Sequence, residues 1–157
     1  MRASVPTRFA EELRLAVDSI THRACACVRV EGGRVQEAAL LDALGRRGVS
    51  IGSNWQYEGQ LFVTVSCDNA DVIKEEAEHL GLGVRVLGGS FEITIQGERL
   101  PQTPGILAKA YHALDVFNGV PILVGSPTTI TVIVPEEEGK TALPLLLAAF
   151  GFEASSA

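Results

Sequence analysis

The chain has 157 residues, 46% of them hydrophobic and 20% charged, which is the composition of a globular protein with one ordinary domain or two small ones. Its formal net charge of −6 argues against binding to nucleic acid or to an anionic membrane surface. The longest apolar run, Leu143 to Phe150, is far shorter than the roughly 20 residues of a membrane span, and Met1 to Ile20 lacks the apolar segment of a signal peptide. Three cysteines, an odd number, suit a reducing compartment better than a disulfide framework, so we expect a cytoplasmic protein.

The first 22 residues contain one apolar stripe at helical spacing. Thr7 can cap a helix whose apolar residues fall at positions i, i+4, i+7, i+8 and i+11, namely Phe9, Leu13, Ala16, Val17 and Ile20. We therefore expect a helical arm at residues 1–22 that clamps one unit of this chain or a partner chain.

Residues 23–88 have the pattern of one strand–helix–strand–strand–helix–strand unit. Alternation around Cys25 and Cys27 predicts a strand, the turn at Glu31-Gly32-Gly33 leads to a helix, and Gly48 ends that helix. A second strand from Val49 to Tyr57 and a third from Leu61 to Val65 flank the turn at Glu58-Gly59. A second helix and a fourth strand starting at Val84 complete the unit. The inward-facing helix residues are expected to be Leu40, Leu41, Leu44, Ile73, Ala77 and Leu80.

Residues 89–157 repeat the same order of elements. The expected elements are a strand at Phe91 to Ile95, a helix with the stripe Ile106, Leu107, Ala110, Tyr111 and Leu114 that stops at Asn118-Gly119, strands at Val120 to Val124 and Thr129 to Val134, a helix after Glu136, and a short last strand at Phe152 to Ala154. The predicted fold class is therefore α+β: two tandem ferredoxin-like βαββαβ units, each an antiparallel four-stranded sheet with its helices on one face. Because each copy is small, we expect the two to pack against each other.

Two segments of the second copy carry a family resemblance. The segment from Gly97 to Tyr111, GERLPQTPGILAKAY, resembles the first strand-to-helix turn of an ACT domain, whose signature is a Pro-Gly pair opening the helix. The segment from Gly125 to Val132, GSPTTITV, is similar to the matching hairpin in the regulatory tail of aspartokinases, which carries ACT units in tandem. The resemblance covers nearly the whole chain after about Ile20. Since no kinase domain precedes the repeats, it implies a free-standing regulatory piece, either a separate small subunit or an independent sensor.

The resemblance also bears on the first copy and on the last strand. Arg34-Val35 stands where the first copy would have its Pro-Gly pair, whereas Gln56 aligns with a glutamine that helps to hold the effector amino acid in that family. In such tails the final strand of one unit often returns to the sheet of the other, which would place Phe152 to Ala154 in the first unit's sheet.

The second copy contains the main candidate for a ligand site. With Thr103 as N-cap, Pro104 at N1 and Gly105 at N2, the helix start would present unpaired N–H groups that suit a carboxylate. Oxygen acceptors for the ammonium of the same ligand could come from Glu98, Gln102 and the carbonyls near Val124 to Ser126. The predicted ligand-binding residues here are Glu98, Gln102, Thr103, Pro104, Gly105, Ile106, Val124, Gly125 and Ser126. The other interpretation, that Thr-Pro-Gly is only a good helix start, stays open.

In the first copy, strand alternation places Gln56 and Asn54 on one face and Trp55 and Tyr57 on the other. Gln56 and Asn54 are therefore further candidate ligand contacts, with the aromatic side chains filling an interface. The alternative is an edge strand with an exposed amide and half-buried aromatic rings. Gly32-Gly33, beside Gln36 and Glu37, is expected to be only a turn.

Catalytic, metal and cofactor chemistry is not expected. His22, Cys25 and Cys27 fall short of the four ligands of a structural zinc, and cysteines at i and i+2 of a strand are typical of core packing. His79 and His112 have no obvious nucleophile or carboxylate partner, and no phosphate-binding glycine motif occurs in the sequence. A sheet that binds RNA would need stacking aromatic residues at its central strands, where only Phe62 is found.

Two classes of function follow. In the first, the chain is a non-catalytic regulatory protein, expected to be a homodimer, that binds an amino acid and modulates a partner such as an aspartokinase-type catalytic chain. In the second, it is a dimerisation module that has lost its ligand. The Thr103-Pro104-Gly105 helix start favours the first class, and the altered first copy favours the second.

Overall fold

The computed structural model describes residues 14–115 and 122–152. Its contacts divide the chain into two units. The central unit is Ala24–Phe91, and the split unit combines Met1–Arg23 with Glu92–Ala157. Described residues 14–23, which include the start of β1, therefore belong to the same unit as the second sequence copy. The domain boundaries drawn from the sequence, 23–88 and 89–157, remain a proposal about independent domains.

The central unit contains two helices packed on its strands. Its elements are β1 (Ser19–Glu31), α1 (Arg34–Arg46), β2 (Asn54–Tyr57), β3 (Gln60–Val65), α2 (Ala70–His79) and β4 (Gly83–Gln96). The start of β1 and the end of β4 extend past the limits of this unit into the split unit. Gly48, at φ +74°, follows the end of α1 as the sequence predicts.

The split unit is completed by elements from the C-terminal half of the chain. These elements are a 3-10 turn (Leu100–Gln102), α3 (Ile106–Ala113), β5 (Ile122–Ser126), β6 (Thr129–Pro135) and α4 (Glu136–Ala149). The predicted strand at Thr129 to Val134 and the helix after the acidic triplet at Glu136 are both present.

The strands hydrogen-bond in the order β2-β3-β1-β4-β6-β5, so the described residues form one six-stranded sheet. The pairs β1–β3, β2–β3 and β5–β6 are antiparallel. Separate four-stranded sheets are therefore not observed. β1 and β4 have 13 and 14 residues and are much longer than a typical strand of about 5–6 residues.

The core of the central unit contains the residues predicted for one strand face. Val28 and Val30 of β1 face Val63 and Leu61 of β3 in register, and all four are buried. Helices α1 and α2 cover them with Leu40, Leu44, Ile73 and Ala77. On the opposite face Cys25, Cys27 and Thr64 are buried as well, so burial does not alternate along this part of the strands. Leu41 and Leu80 were expected to face inward but are exposed. Fewer residues of each helix contact the strands than its apolar pattern suggests.

The end of the N-terminal arm differs from its prediction. Of the arm, the structure describes residues 14–22, in which Arg14 to Ala16 are helical as predicted, whereas Ile20 lies in β1. Asp18 N–H donates to the carbonyl of Gln96 at 2.8 Å, so pairing with β4 replaces the helix at this point. Thr7, Phe9, Leu13, Asn118-Gly119 and Val120 lie outside the described residues, as does the predicted last strand except Phe152, which is in no strand. Within the described ranges, no helix is long and apolar enough to cross a bilayer.

Candidate functional site

The loop that leads from β4 to α3 is anchored at its beginning. Gly97 N–H donates to the carbonyl of Thr128 in the β5–β6 turn at 2.9 Å, and Glu98 N–H donates to Asp18 Oδ2 at 3.1 Å. Position 97 has no space for a side chain, because the Ala16 carbonyl oxygen lies where a Cβ would be. These contacts fix the loop against the hairpin whose residues face the start of α3.

The start of α3 differs in detail from the predicted Thr-Pro-Gly cap. The helix begins at Ile106, and Gly105, at φ +87°, is its N-cap. The Thr103 hydroxyl donates to the carbonyl of Arg99 at 2.8 Å instead of capping the helix. The 3-10 turn that precedes Thr103 presents this carbonyl four residues back, and the left-handed Gly105 then turns the chain into the helix. The predicted cap, with Thr103 as N-cap, Pro104 at N1 and Gly105 at N2, is therefore wrong.

The helix start nevertheless keeps the donors on which the prediction depended. The first N–H that closes a turn of α3 is that of Lys109, which donates to the Gly105 carbonyl at 3.0 Å. The N–H groups of Ile106, Leu107 and Ala108 precede it and so have no acceptor within the helix. Together with the positive end of the helix dipole, they form an environment that favours a carboxylate.

A groove of about 330 Å³ lies between this helix start and the β5–β6 hairpin. Its lining residues are Leu100, Pro101, Thr103, Gly105, Ile106, Leu107, Gly125, Ser126, Pro127 and Ile130. Five residues predicted from the sequence therefore meet here: Thr103, Gly105, Ile106, Gly125 and Ser126. A Cβ built on Gly125 would meet no atom within 4 Å, so this wall of the groove is open.

Other predicted residues of the second copy lie elsewhere. Gln102 and Pro104 line a neighbouring cavity of about 390 Å³ together with Leu15, Arg99 and Thr103. Glu98 is exposed and Val124 is half-buried, and neither lines the groove.

Sequence reasoning missed half of the residues that line the groove: Leu100, Pro101, Leu107, Pro127 and Ile130. Two of them could have been found from the hairpin. Pro127 directly follows Ser126 in the quoted hairpin motif, and Ile130 pairs with Gly125 across the two strands.

In the central unit, Gln56 is held by a buried carboxylate. Its Nε2 donates to Glu37 Oε2 at 3.2 Å, and Glu37, in the first turn of α1, is only 6% exposed. Trp55 stacks on Phe62 with ring centroids 5.4 Å apart, while Tyr57 and Asn54 are exposed. The pairing of Gln56 with Glu37 was not foreseen, because it depends on how α1 packs against β2, and a pattern within either element does not contain that contact.

Cys25 and Cys27 are buried in β1, as the core interpretation predicted. No group of three metal-ligating side chains occurs in the described part of the chain.

On the surface of the central unit, Arg47 forms ion pairs with two carboxylates. Glu75 and then Glu76 raise the pKa of the Arg47 guanidinium through contacts of 3.2 Å each.

Comparisons with known proteins place this fold. No family model and no curated protein sequence matches the chain. Among solved structures, the ligand-free regulatory subunit of aspartate kinase from Thermus thermophilus is 25% identical, covers 88% of this chain and 99% of its own, and gives a TM-score of 0.75. The regulatory subunit from Thermus flavus is 22% identical over 86% of this chain and 99% of its own, with a TM-score of 0.70.

A larger protein contains the same fold as one part of its chain. Aspartokinase III of E. coli, solved with lysine and aspartate in the T-state, is 15% identical over 86% of this chain and 33% of its own, with a TM-score of 0.63. The fold is thus similar to that of the regulatory part of aspartate kinases. More particularly, the chain matches separate regulatory subunits over almost their full length, which confirms the resemblance seen in the sequence.

Proposed function

We propose that the protein is a non-catalytic regulatory subunit that binds a free amino acid in the groove of the split unit and thereby modulates an aspartokinase-type catalytic chain in the cytoplasm. The observation that carries the proposal is the open groove between the start of α3 and Gly125. The regulatory role is supported by the likeness to separate aspartate kinase regulatory subunits along nearly their whole length.

The chemistry of the groove suits both ends of an amino acid. The N–H groups of Ile106 and Leu107 would receive the carboxylate at the positive end of the helix. The ammonium would find acceptors in the hydroxyls of Thr103 and Ser126 and in the carbonyls of the hairpin. Glu98, Gln102 and Val124 stay candidate ligand contacts. They do not line the groove, but a change of the loop on ligand binding could bring them to it. The volume, about 330 Å³, lies at the small end of the roughly 300–1,000 Å³ of ligand pockets and so fits one amino acid.

Products of the aspartate family are the first candidate ligands. Aspartokinase III of E. coli was solved with lysine, and by analogy we place lysine, threonine and methionine first for this chain. A thermal-shift screen against the twenty amino acids tests the proposal. A ligand present at about 100 times its Kd stabilises the fold by roughly 2.7 kcal/mol, which gives a readily measured shift in Tm.

A matched variant makes that screen specific to the groove. Gly125→Gln fills the open wall without a backbone clash, so the Tm of the variant alone should stay close to that of wild type while its response to the amino acid disappears. If no amino acid shifts the Tm of the wild-type protein, ligand binding is refuted.

Assembly is the second part of the proposal. β2 stands at one end of the strand order and carries Tyr57, which is 62% exposed, beside Trp55. Because unpaired edge strands promote association, we propose a homodimer formed through this edge. Light scattering at micromolar concentration should give twice the chain mass. Co-purification with an aspartokinase catalytic chain should yield a complex whose kinase rate depends on the amino acid.

One observation favours a second candidate function, a dimerisation module without a ligand. In the central unit the side-chain amide of Gln56, a candidate ligand contact, is already bonded to Glu37. A dimer that shows no thermal response to any amino acid would support this second candidate over the first.

A further inference from the structure

Buried apolar residues form the floor of the groove in the split unit. Leu100, Ile106 and Ile130 line the groove, and all three are buried. They belong to the 3-10 turn before α3, to the first turn of α3 and to strand β6, so three different elements contribute to this floor. A ligand group that rests on it leaves water for a hydrocarbon surface, which is favourable only for an apolar group.

The walls of the groove are apolar as well. Pro101, Leu107 and Pro127 line it and are exposed to solvent. Among the described residues that line the groove, none has a charged side chain, and Arg99 lines the neighbouring cavity instead. A charged ligand side chain in the groove would therefore lose hydration without meeting an opposite charge from the lining.

The two hydroxyl groups of the groove are already bonded within the chain. The Thr103 hydroxyl donates to the carbonyl of Arg99 at 2.8 Å, and the hydroxyl oxygens of Ser126 and Thr129 are 2.5 Å apart. Because its proton is used, the Thr103 oxygen can only accept a hydrogen bond from a ligand. Under the proposed function this acceptor receives the α-ammonium that free amino acids share. The floor and the apolar walls then remain for the ligand side chain, which distinguishes one amino acid from another.

We infer that the groove selects an amino acid with a long, uncharged, apolar side chain, and that it takes methionine in preference to threonine and lysine. This inference rests on the proposed function and narrows its candidate ligands. Threonine offers fewer carbon atoms to the floor. Lysine has enough methylene groups, but its ammonium stays in water, which draws the end of the side chain away from the floor. Methionine has a flexible thioether side chain that adapts to an irregular apolar surface.

Ligands that differ in one feature test the selectivity. L-norleucine has the carbon chain of L-lysine without the terminal ammonium, and L-norvaline is one methylene shorter than L-norleucine. Each is titrated calorimetrically into the wild-type protein and into Gly125→Gln, and the binding that this variant loses is assigned to the groove. Burial of one methylene should make the Kd of norleucine about fourfold lower than that of norvaline. The Kd of lysine should exceed that of norleucine by about tenfold or more, since at least two methylene groups leave the floor. L-methionine should bind about as tightly as L-norleucine.

A carboxylate added to one wall should weaken the discrimination against lysine. Pro127 lies in the two-residue turn between β5 and β6 and is exposed, so the turn can accommodate a longer polar side chain. Pro127→Glu places a negative charge beside the ligand side chain, and the ratio of the lysine Kd to the norleucine Kd should fall about two- to fivefold, as for an exposed ion pair. Pro127→Gln has the same length without the charge and should keep the ratio of the wild type. An unchanged ratio in a folded Pro127→Glu variant would contradict the placement of the ligand side chain along this wall.

The wild-type titrations decide the question even if the Pro127 variants do not fold. Lysine that binds in the groove as tightly as norleucine would overturn the selectivity and leave the proposed amino-acid site intact. Norleucine and methionine that bind more tightly than lysine, in a response that Gly125→Gln removes, would support both. Binding that Gly125→Gln retains in full for every amino acid, or no binding of any of them, would overturn both.

Discussion

The carbonyl oxygen of Ala16 lies against the α-carbon of Gly97, in the position that the Cβ of any other residue at 97 would occupy. The same stretch before β1 bonds to the end of β4 through Asp18 N–H and the Gln96 carbonyl at 2.8 Å. Gly97 in turn bonds to Thr128 at 2.9 Å. One glycine therefore connects the beginning of the split unit to the hairpin that forms one wall of the groove.

Replacing this glycine should be costly. Gly97→Ala forces the backbone of residue 16 or 97 to move, and overpacking of this kind typically costs about 1–3 kcal/mol. Urea unfolding of the variant should show a clearly lowered midpoint. The control is Gly45→Ala in α1, where a Cβ meets no atom within 4 Å and a helical alanine gains about 0.5–1 kcal/mol over glycine. Equal midpoints for the two variants would contradict the close contact.

Gly105→Val should also destabilise the protein, in contrast to what an N2 position with ordinary helical dihedral angles would predict. Gly105 lies at φ +87°, and the left-handed region costs an L-residue about 1–2 kcal/mol, more for a branched side chain. Gly105→Asn, a residue that tolerates this conformation better, should retain more of the stability in thermal melts. If valine and asparagine are tolerated equally, the left-handed assignment of Gly105 is incorrect.

Phe150, at the end of α4, is 1% exposed and is among the largest buried side chains. Phe150→Ala removes a full ring from the core of the split unit and should lower the free energy of unfolding by about 3–5 kcal/mol. Tyr111→Ala removes another large ring that is 53% exposed, and it should change stability by only about 0.5 kcal/mol. Chemical denaturation of both variants measures this difference. A cost at Tyr111 similar to that at Phe150 would reveal that the exposed face of α3 is covered by a partner chain.

The single tryptophan reports on the central unit. Trp55 stacks on Phe62 at 5.4 Å with an angle of 8° between the ring planes. Phe62→Ala should move the fluorescence emission of Trp55 to longer wavelength, because water replaces the stacking partner. It should also cost about 0.5–1.5 kcal/mol beyond the loss of buried area. An unchanged emission spectrum in a folded Phe62→Ala variant would show that the rings are not stacked in solution.

Local patterns were sufficient to predict most of the core and the hairpins. Val28, Val30 and Val63 are buried as their pattern predicts, and Glu58-Gly59 closes the turn between β2 and β3 as expected. Each of these features depends on neighbours close in sequence or on a period of two. Five residues that line the groove were predicted, because Thr103-Pro104-Gly105 is a local helix-start pattern and the hairpin after Gly125 resembles that of aspartokinase regulatory tails.

The features that were not predicted depend on partners distant in sequence. The boundary between the two copies was predicted between residues 88 and 89, yet β4 continues through this point from Gly83 to Gln96. Whether a strand ends or continues depends on the strands beside it, which a local pattern does not contain. The Glu37–Gln56 bond spans 19 residues and depends on how α1 packs against β2. The Thr103 hydroxyl is an exception, because its acceptor, the Arg99 carbonyl, lies only four residues away. Here the preceding 3-10 turn, which was not predicted, brings the carbonyl within reach.

The central claim, that an amino acid binds in the groove of the split unit, is tested most directly by backbone-amide chemical shifts recorded during titration with L-lysine, L-threonine or L-methionine. The account predicts that the amide signals of Ile106, Leu107, Gly125 and Ser126 move with the amino acid that binds. Shifts confined to residues of the central unit, or no shifts with any of the three amino acids, would contradict it.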